Sequence, residues 1–321
     1  MYYKKSPQAT TSYAKIISML KPNVYYYSLT DVTHPDISNA ARQLLETLIR
    51  EEHIRLQNEI PLKVHPGEPG NTSFVRPTNY DGIIDFLEEK NIKTYFIETN
   101  TVTGRRTNEL DHQQVAKEHG FTRIPFVVAD GERGVNDVAI TVKGGLHLQH
   151  AKIASKLADK NQIIILSHFK GHVSAGFGAA LKMLGIGFAS RRGKMDAHCK
   201  VAPPDDGTIN WVTDRSNLYS NKPFRQRMVE YAQAAVNGKK YLYITYAINL
   251  VENCDCDSKP MEPIYRDLGI FASVDPVAID KAVFDELAKR EGKAPFTGGE
   301  ALSYAEKLGL GSQRYDLISI H

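Results

Sequence analysis

The feature that most constrains this chain is the alternation of short apolar runs with segments of helical periodicity. Eight runs rich in β-branched and aromatic residues predict strands, at 24–29, 61–65, 93–98, 125–129, 138–142, 162–166, 240–248 and 269–274. Helix-period segments lie at 35–58, 79–90, 111–118, 151–158, 224–237, 276–290 and 299–308. Parallel strands need crossover connections, usually helical, so this alternation predicts an α/β fold with a mostly parallel sheet covered by helices.

The domain organisation is predicted as two α/β lobes, residues 1–150 and 151–321, with one continuous domain as the alternative. In open α/β sheets, ligands bind outside the carboxyl ends of strands, so we expect a crevice there. The longest stretch without a pattern is 201–222, which contains PPDDG and is predicted to be a loop or junction.

Composition argues against several classes of protein. The chain is 42% apolar and 24% charged, and no run approaches the roughly 18 apolar residues of a membrane span, so no membrane association is expected. A net charge of +3 without a basic tract makes nucleic acid an unexpected partner. Three cysteines and a polar N-terminal segment without an apolar signal core favour the cytoplasm. Nothing in the sequence fixes the oligomeric state.

Basic side chains concentrate in the stretch from Ser167 to Lys200. His168, Lys170 and His172 follow the strand at 162–166, and Lys182 and His198 come further along. The glycines that permit a close backbone approach to a ligand are Gly171, Gly176 and Gly178. We predict a catalytic or binding site here. The alternative is that each histidine only satisfies backbone carbonyl groups and that Lys182 is a surface charge on a helix.

Polar residues after other strands are candidates for binding an anion. Asn100, Arg105 and Arg106 follow the strand at 93–98, and Asp130 follows the next strand. These loops predict a small anionic molecule or a nucleotide-like cofactor as the partner, although a solvated loop would explain the arginines as well. The loop VHPGEPGN after the second strand is either a phosphate cradle or only a turn.

Thiol and imidazole side chains could bind a metal ion. Cys254 and Cys256 supply two thiols, and either Cys199 or His198 could complete a site for nickel, iron or zinc. Otherwise the cysteines are small buried apolar residues.

Several motifs resemble the domain-of-unknown-function family 362. They are VHPGEPGNTSFVRP, ETNTVTGRRTNELDHQQVAKEHGF, VVADGERG, AGFGAALKMLGIGFASRRGKMDAH, NCDC and LGIFASVDPVAIDKA, which together span about residues 61–282. Many members of that family carry an inserted ferredoxin-type module, which the resemblance places at 201–222. Here no cysteine lies between Cys199 and Cys254, so a ferredoxin-type [4Fe–4S] cluster, with its four thiolates, is not expected.

A more distant resemblance is to the lactate racemases that use a nickel-pincer nucleotide. Its carriers are His172, Lys182 and His198 with AGFGAALK between the first two, and Arg76-Pro77-Thr78 upstream. The resemblance implies that His172 is a proton-transfer base, Lys182 the covalent attachment point and His198 a metal ligand. It also implies that the turn at Arg76 and Thr78 holds cofactor phosphate. His65, His112 and His119 remain alternatives for the second base.

These observations leave three functional hypotheses. The first is an enzyme that binds a metal or a metal-containing nucleotide cofactor and performs proton transfer or isomerisation on a small carboxylated substrate. The second is a redox or cluster-handling protein associated with iron–sulfur clusters. The third is a non-catalytic protein that binds an anionic small molecule.

Overall fold

The computed structural model describes residues 21–30, 32–201 and 215–320. The strands are β1 Asn23–Ser28, β2 Leu62–Lys63, β3 Phe96–Glu98, β4 Phe126–Val128, β5 Asp137–Thr141, β6 His150–Ala154, β7 Ile164–His168, β8 Lys170–His172, β9 Gly176–Gly178, β10 Leu242–Ala247, β11 Gly269–Ser273 and β12 Asp316–Ser319. The α-helices are α1 Ile37–Glu51, α2 Asp81–Glu89, α3 Glu109–Glu118, α4 Ser155–Ala158, α5 Ala180–Gly185, α6 Arg191–His198, α7 Asn221–Val236, α8 Pro276–Glu291 and α9 Glu300–Lys307.

Eight strands form one large sheet in the order β12-β1-β11-β10-β7-β2-β3-β4. Among these described strands only β11 runs antiparallel to its neighbours. The predicted α/β fold with a mostly parallel sheet is confirmed. Strands from both sides of residue 150 belong to this one sheet, with β1 between β12 and β11, and the division into two lobes stays a prediction.

Helices pack on both faces of the sheet. Strand β7 shows why, because successive side chains point to opposite faces of a strand. Ile164 and Leu166 join one apolar cluster, together with Leu44 of α1. Ile165 joins the other cluster, which includes Leu184 of α5. A strand with apolar residues at consecutive positions is therefore covered on both sides, as expected for parallel sheets.

Helix α8 begins where the sequence predicts. Asp275 accepts hydrogen bonds from the backbone N–H groups of Val277 and Ala278, both at 2.8 Å, and Pro276 occupies the first helical turn. The helix ends at Gly292, whose φ of 69° lies in the left-handed region that glycine favours.

The structure differs from the sequence prediction in three places. Residues 151–158, predicted as one helix, form strand β6 and the short helix α4, because 150–154 pairs with β5 in an antiparallel hairpin. The stretch after β7, where no strand was predicted, forms a second hairpin from β8 and β9, and the edge strand β12 was not predicted either. Most of the predicted loop at 201–222 falls on residues 202–214, outside the described chain. In the described residues, no helix is long and apolar enough to cross a membrane.

Candidate functional site

A cavity of about 280 Å³ lies at the carboxyl ends of β2, β3 and β7. Parallel strands end at the same edge of a sheet, so the loops that follow them converge there. Among the residues that line the cavity are eight of the predicted site residues: Arg106, His168, Lys170, His172, Gly178, Lys182, His198 and Cys256.

The lining is predominantly cationic. Arg106, Lys170, Lys182 and Lys194 face the cavity, and within the described chain one lining carboxylate, Glu98, opposes them. Arg106 and Lys170 pair with the carboxylates of Glu68 and Asp255, and Lys182 lies beside the sulfur of Cys254, so that Lys194 is the cation whose hydrogen bonds go to neutral groups. The remaining positive charge favours an anionic ligand.

Arg106 is fully buried in the cavity wall. Its Nε donates to Glu68 Oε2 at 2.8 Å, while Nη1 and Nη2 have no hydrogen-bond partner among the described residues. The neighbouring Arg105 is exposed, and its Nη1 pairs with Glu118 at 2.8 Å. The two neighbouring arginines therefore differ in what they can bind. Of the two, Arg106 has buried N–H donors from which an oxyanion could accept hydrogen bonds.

Lys194 on α6 is a cavity residue that the sequence analysis did not single out. Its Nζ donates to the Thr99 carbonyl oxygen at 3.1 Å, to Thr99 Oγ1 at 2.6 Å and to the Asn100 carbonyl oxygen at 2.6 Å. Burial lowers the pKa of Lys194 to about 8. Its charge therefore changes close to neutral pH, and a bound anion would favour the charged form.

His198, at the end of α6, is oriented by the backbone of its own helix. Its Nδ1 lies 2.7 Å from the Lys194 carbonyl oxygen, so Nδ1 carries the donated proton and Nε2 has the lone pair in the neutral ring. Burial lowers the pKa of His198 to about 4, which keeps the ring neutral at physiological pH. A neutral imidazole held in this way can accept a proton or bind a metal ion.

His172 has the opposite tautomer. Its Nδ1 accepts hydrogen bonds from the backbone N–H groups of Ser174 at 3.1 Å and Ala175 at 3.0 Å, so Nε2 carries the proton. The imidazole hydrogen-bonds to Cys254, and burial lowers its pKa. In this arrangement His172 is a donor to sulfur, and its predicted role as a base stays a prediction.

Cys254 receives hydrogen bonds from several donors. The backbone N–H of Cys256 is 3.4 Å from Cys254 Sγ, and Lys182 Nζ is 3.6 Å from it. The hydrogen bond from the Cys256 side chain holds the pKa of Cys254 well below its usual range, with Lys182 and His172 adding to the effect against the opposing influence of burial. Burial disfavours the charged form of Lys182, but Cys254 and Cys256 outweigh it and raise the pKa of Lys182.

One buried carboxylate organises the far side of the cavity. Asp255 accepts hydrogen bonds from His168 Nδ1 at 2.9 Å, from Ser73 Oγ at 2.9 Å and from Lys170 Nζ. His168 Nε2 also lies 2.7 Å from the Ile248 carbonyl oxygen. Both ring nitrogens of His168 thus have structural partners, and the catalytic roles predicted for His168 and Lys170 stay predictions.

The remaining predicted residues do not line the cavity. Asn100 and Asp130 bond to each other, with the Asn100 backbone N–H 3.0 Å from Asp130 Oδ1, and so join the loops after β3 and β4. Cys199 is buried at the end of α6. Arg76 and Thr78 are exposed and lie outside the lining. The other predicted residues outside the lining are Arg105, Gly176 and Cys254, whose Sγ contacts Lys182 Nζ.

Of the three histidines left open for the second base, His65 lines the cavity. His112 is fully buried, with its Nδ1 3.4 Å from Asn100 Oδ1. His119 Nδ1 lies 2.7 Å from the Pro66 carbonyl oxygen.

The buried pair Lys63–Glu98 beside the cavity was not predicted from the sequence. Lys63 Nζ lies 2.7 Å from Glu98 Oε1. A signal was present, because a lysine in the apolar run PLKVH and a glutamate at the end of KTYFIE are unusual inside strands.

The fold and the site define an α/β protein with a cationic cavity at the carboxyl ends of its parallel strands. Its sequence matches the domain-of-unknown-function family DUF362 over residues 60–285, so the chain belongs to that family and the prediction is confirmed. No curated protein sequence matches the chain.

The solved structures that resemble the chain include a lactate racemase and a structural-genomics target. The lactate racemase apoprotein from Thermoanaerobacterium thermosaccharolyticum has 14% sequence identity and a TM-score of 0.44, and the match covers 71% of this chain and 51% of that one. A structural-genomics crystal structure of a protein from Thermotoga maritima has 14% identity and a TM-score of 0.47, with 88% and 61% covered. The chain thus spans about half to three fifths of these neighbours, and at these TM-scores the likeness carries no argument about function.

Proposed function

We propose that this protein is an enzyme that binds a small anionic molecule, a carboxylated substrate or a nucleotide-like cofactor, and transfers a proton to or from its substrate. The observation that carries the proposal is the position of Arg106, a buried residue of the cavity wall whose two Nη atoms have no hydrogen-bond partner among the described residues. A buried guanidinium in this state is stabilised by an oxyanion that accepts from both nitrogens.

The proton-transfer part rests on His198. Its ring presents an unprotonated Nε2 in the neutral state, and the ring lines the same cavity as Arg106. An anion bound by Arg106 and attracted by the charge of Lys194 would bring its acidic carbon to an imidazole of fixed tautomer. A nearby anion also raises the pKa of an imidazole, which would improve His198 as a base.

A metal-containing cofactor is a second candidate, and the tautomer of His198 favours it. Metal-bound histidines commonly donate the other ring N–H to a carbonyl oxygen, as His198 does to Lys194. The described donor groups that cluster closely enough for a metal are His172, Cys254 and Cys256, but Nδ1 of His172 already accepts two backbone bonds and its Nε2 is protonated. His198 would therefore hold a metal that arrives within a cofactor, and the cavity-facing Lys182 would anchor that cofactor. The metal would supply Lewis acidity or hydride chemistry.

An iron–sulfur cluster held by this chain alone does not fit. The sequence contains three cysteines, and the usual cluster needs four thiolate ligands. The redox alternative would therefore require ligands from another molecule.

The proposal is tested by following the exchange of carbon-bound protons with heavy water. The purified protein is incubated with lactate and other small 2-hydroxy carboxylates, and deuterium at the carbon next to the carboxylate is measured by NMR. We expect exchange that is lost in His198→Gln. The non-catalytic alternative would be favoured if the same acids bind but show no exchange. This result would have to hold both for protein that retains cofactor from the producing cells and for protein that lacks it.

The metal-dependent version has its own measurement. Elemental analysis measures the metal content of the unaltered protein and of the His198→Ala and Cys199→Ser variants, all purified without a metal-chelating tag. A near-stoichiometric metal that disappears only in the His198 variant would establish it. A metal that is lost in Cys199→Ser and kept in His198→Ala would contradict the metal-dependent version.

A further inference from the structure

Three buried polar atoms on one loop of the cavity wall have no hydrogen-bond partner among the described residues. They are Thr101 Oγ1 and the Nη1 and Nη2 atoms of Arg106. Ser167 and Thr245 also have buried hydroxyl groups of this kind, but neither residue lines the cavity, whereas Thr101 and Arg106 both do. A buried polar group without a partner is costly, and a ligand in the cavity could satisfy the groups on this loop.

The loop from Thr101 to Arg106 closes on itself. The Thr101 backbone N–H donates to the Arg106 carbonyl oxygen at 2.8 Å. Both residues follow strand β3, at whose carboxyl end the cavity lies. The closed loop therefore brings a hydroxyl group, which can both donate and accept, and a guanidinium group into one part of the cavity wall.

Glu68 holds this loop from the neighbouring loop that follows β2. Its buried carboxylate accepts from Arg106 Nε at 2.8 Å through Oε2 and from the Arg105 backbone N–H through Oε1. A Cβ at position 104 would clash with this carboxylate, so Gly104 permits the close approach. The backbone of Glu68 is fixed in turn, because its N–H donates to the Asp255 carbonyl oxygen at 2.9 Å. Since Nε of Arg106 is occupied by Glu68, Nη1 and Nη2 are the donors left for a ligand.

We propose that Thr101 and Arg106 form one ligand subsite, positioned by Glu68, for an oxyanion that has a third oxygen beside the two that the guanidinium binds. The inference rests on the proposed function, because it specifies the anion that Arg106 would bind. The two Nη atoms would donate to two oxygens in the bidentate manner of arginine, and the Thr101 hydroxyl would bond to the third. Thr101 is then a specificity-determining residue, and Glu68 is a positioning residue.

Two chemical groups provide such a third oxygen. One is a carboxylate with a hydroxyl group on the adjacent carbon, and the other is a phosphoryl group, which has three terminal acceptor oxygens. A simple carboxylate has only the two oxygens that Arg106 would bind. Comparison of lactate, propionate and inorganic phosphate therefore distinguishes the two sources of the third oxygen.

The subsite is tested by calorimetric titration of these three ligands into the unaltered protein and Thr101→Val, which replaces the hydroxyl by a methyl group. If the third oxygen is the hydroxyl of a 2-hydroxy carboxylate, the affinity for lactate should fall by about fivefold or more and that for propionate should stay the same. If it belongs to a phosphoryl group, the affinity for phosphate should fall instead. Unchanged affinities for lactate and phosphate would overturn the inference.

Two further variants show whether the hydroxyl itself is responsible. Thr101→Ser keeps a hydroxyl and should retain the affinity that Thr101→Val loses. Thr103→Val makes the same substitution at an exposed position of the same loop and should have little effect. Equal losses in Thr101→Val and Thr101→Ser, or in Thr101→Val and Thr103→Val, would contradict a specific role for the Thr101 hydroxyl.

Glu68→Gln tests the positioning role by the direction of its effect. Removal of a carboxylate makes the cavity wall more positive, so charge alone would strengthen anion binding. Positioning predicts weaker binding, because a glutamine amide cannot accept from both Arg106 Nε and the Arg105 backbone N–H. Circular dichroism checks that the variant is folded, and the Thr101 variants test the subsite without disturbing this ion pair. Unchanged or tighter binding by folded Glu68→Gln would overturn the positioning role.

Failure of this inference can be told apart from failure of the proposed function. If Arg106→Lys weakens the binding of lactate and phosphate while Thr101→Val weakens neither, the subsite is wrong and anion binding by Arg106 stands. If the unaltered protein binds none of the three ligands, both are wrong.

Discussion

Lys63 and Glu98 form an ion pair between the adjacent parallel strands β2 and β3, with Nζ and Oε1 2.7 Å apart. The side chains are 0% and 4% exposed, so removing either one would leave the other charge buried without its partner. Burial lowers the pKa of Lys63, against the effect of Glu98. We expect Glu98→Gln to lower the free energy of unfolding by about 3–5 kcal/mol, as when one partner of a buried pair is removed. Denaturant unfolding measures it.

The matched control replaces both charges. Lys63→Met combined with Glu98→Met removes the unpaired charge, so this double variant should be more stable than Glu98→Gln. A double variant less stable than the single one would show that the pair itself contributes strongly.

Gly171 lies so close to the cysteine loop that no larger residue fits. A Cβ at this position would clash with the Glu252 carbonyl oxygen, and the Gly171 N–H bonds to the Val251 carbonyl oxygen at 2.9 Å. Gly171→Ala should cost about 1–3 kcal/mol and displace the loop that carries Cys254 and Cys256. Unfolding curves and the alkylation rate of Cys256 report the two effects. Gly299→Ala is the control, because a Cβ there meets nothing within 4 Å; equal losses in the two variants would refute the explanation.

Lys194 predicts how anion binding depends on pH. Its pKa in the folded chain is about 8, below the usual value of about 10.4. Below pH 8 the cavity therefore has the Lys194 charge, and anion affinity should fall as the pH rises through that value. Binding of inorganic phosphate on either side of pH 8 measures this, with phosphate's own charge controlled by repeating the titration on Lys194→Met. If the affinity for phosphate depends on pH in Lys194→Met as it does in the unaltered protein, Lys194 is not the group whose deprotonation weakens binding.

The same shift has the opposite consequence for stability. Between the folded pKa near 8 and the unfolded pKa near 10.4, the unfolded chain binds more protons at Lys194, so stability rises with pH. The contribution is at most about 3 kcal/mol. Lys194→Met should lack this rise, and denaturant unfolding at pH values across the window would reveal it.

Sequence periodicity predicted the sheet well because its strands are buried on both faces and therefore consist of apolar runs, as in QIIIL. It failed for β6, since HAKIA contains alanines that suit a helix, and only pairing with β5 makes it a strand. The edge strand β12 is mostly exposed and lacks the apolar run that marks the central strands.

The site was predicted in part for a related reason. His168, Lys170 and His172 follow a predicted strand, and ligands of open α/β sheets bind outside the carboxyl ends of the strands. The sequence therefore indicated where the cavity lies. The sequence could not distinguish Arg106 from Arg105, since only the fold buries one and exposes the other. Nor could it assign the tautomers of His172 and His198, which depend on backbone groups brought close by folding.

The central claim, that Arg106 binds an anion in the cavity, is tested most directly by calorimetric titration of lactate and inorganic phosphate. Arg106→Lys is compared with Arg105→Lys, since both substitutions keep the charge and the first removes the buried Nη donors. We predict that Arg106→Lys weakens binding by about tenfold or more, as expected for a lost hydrogen bond to a charged group, and that Arg105→Lys has almost no effect. Equal affinities for the two variants, or no binding by the unaltered protein, would contradict the account.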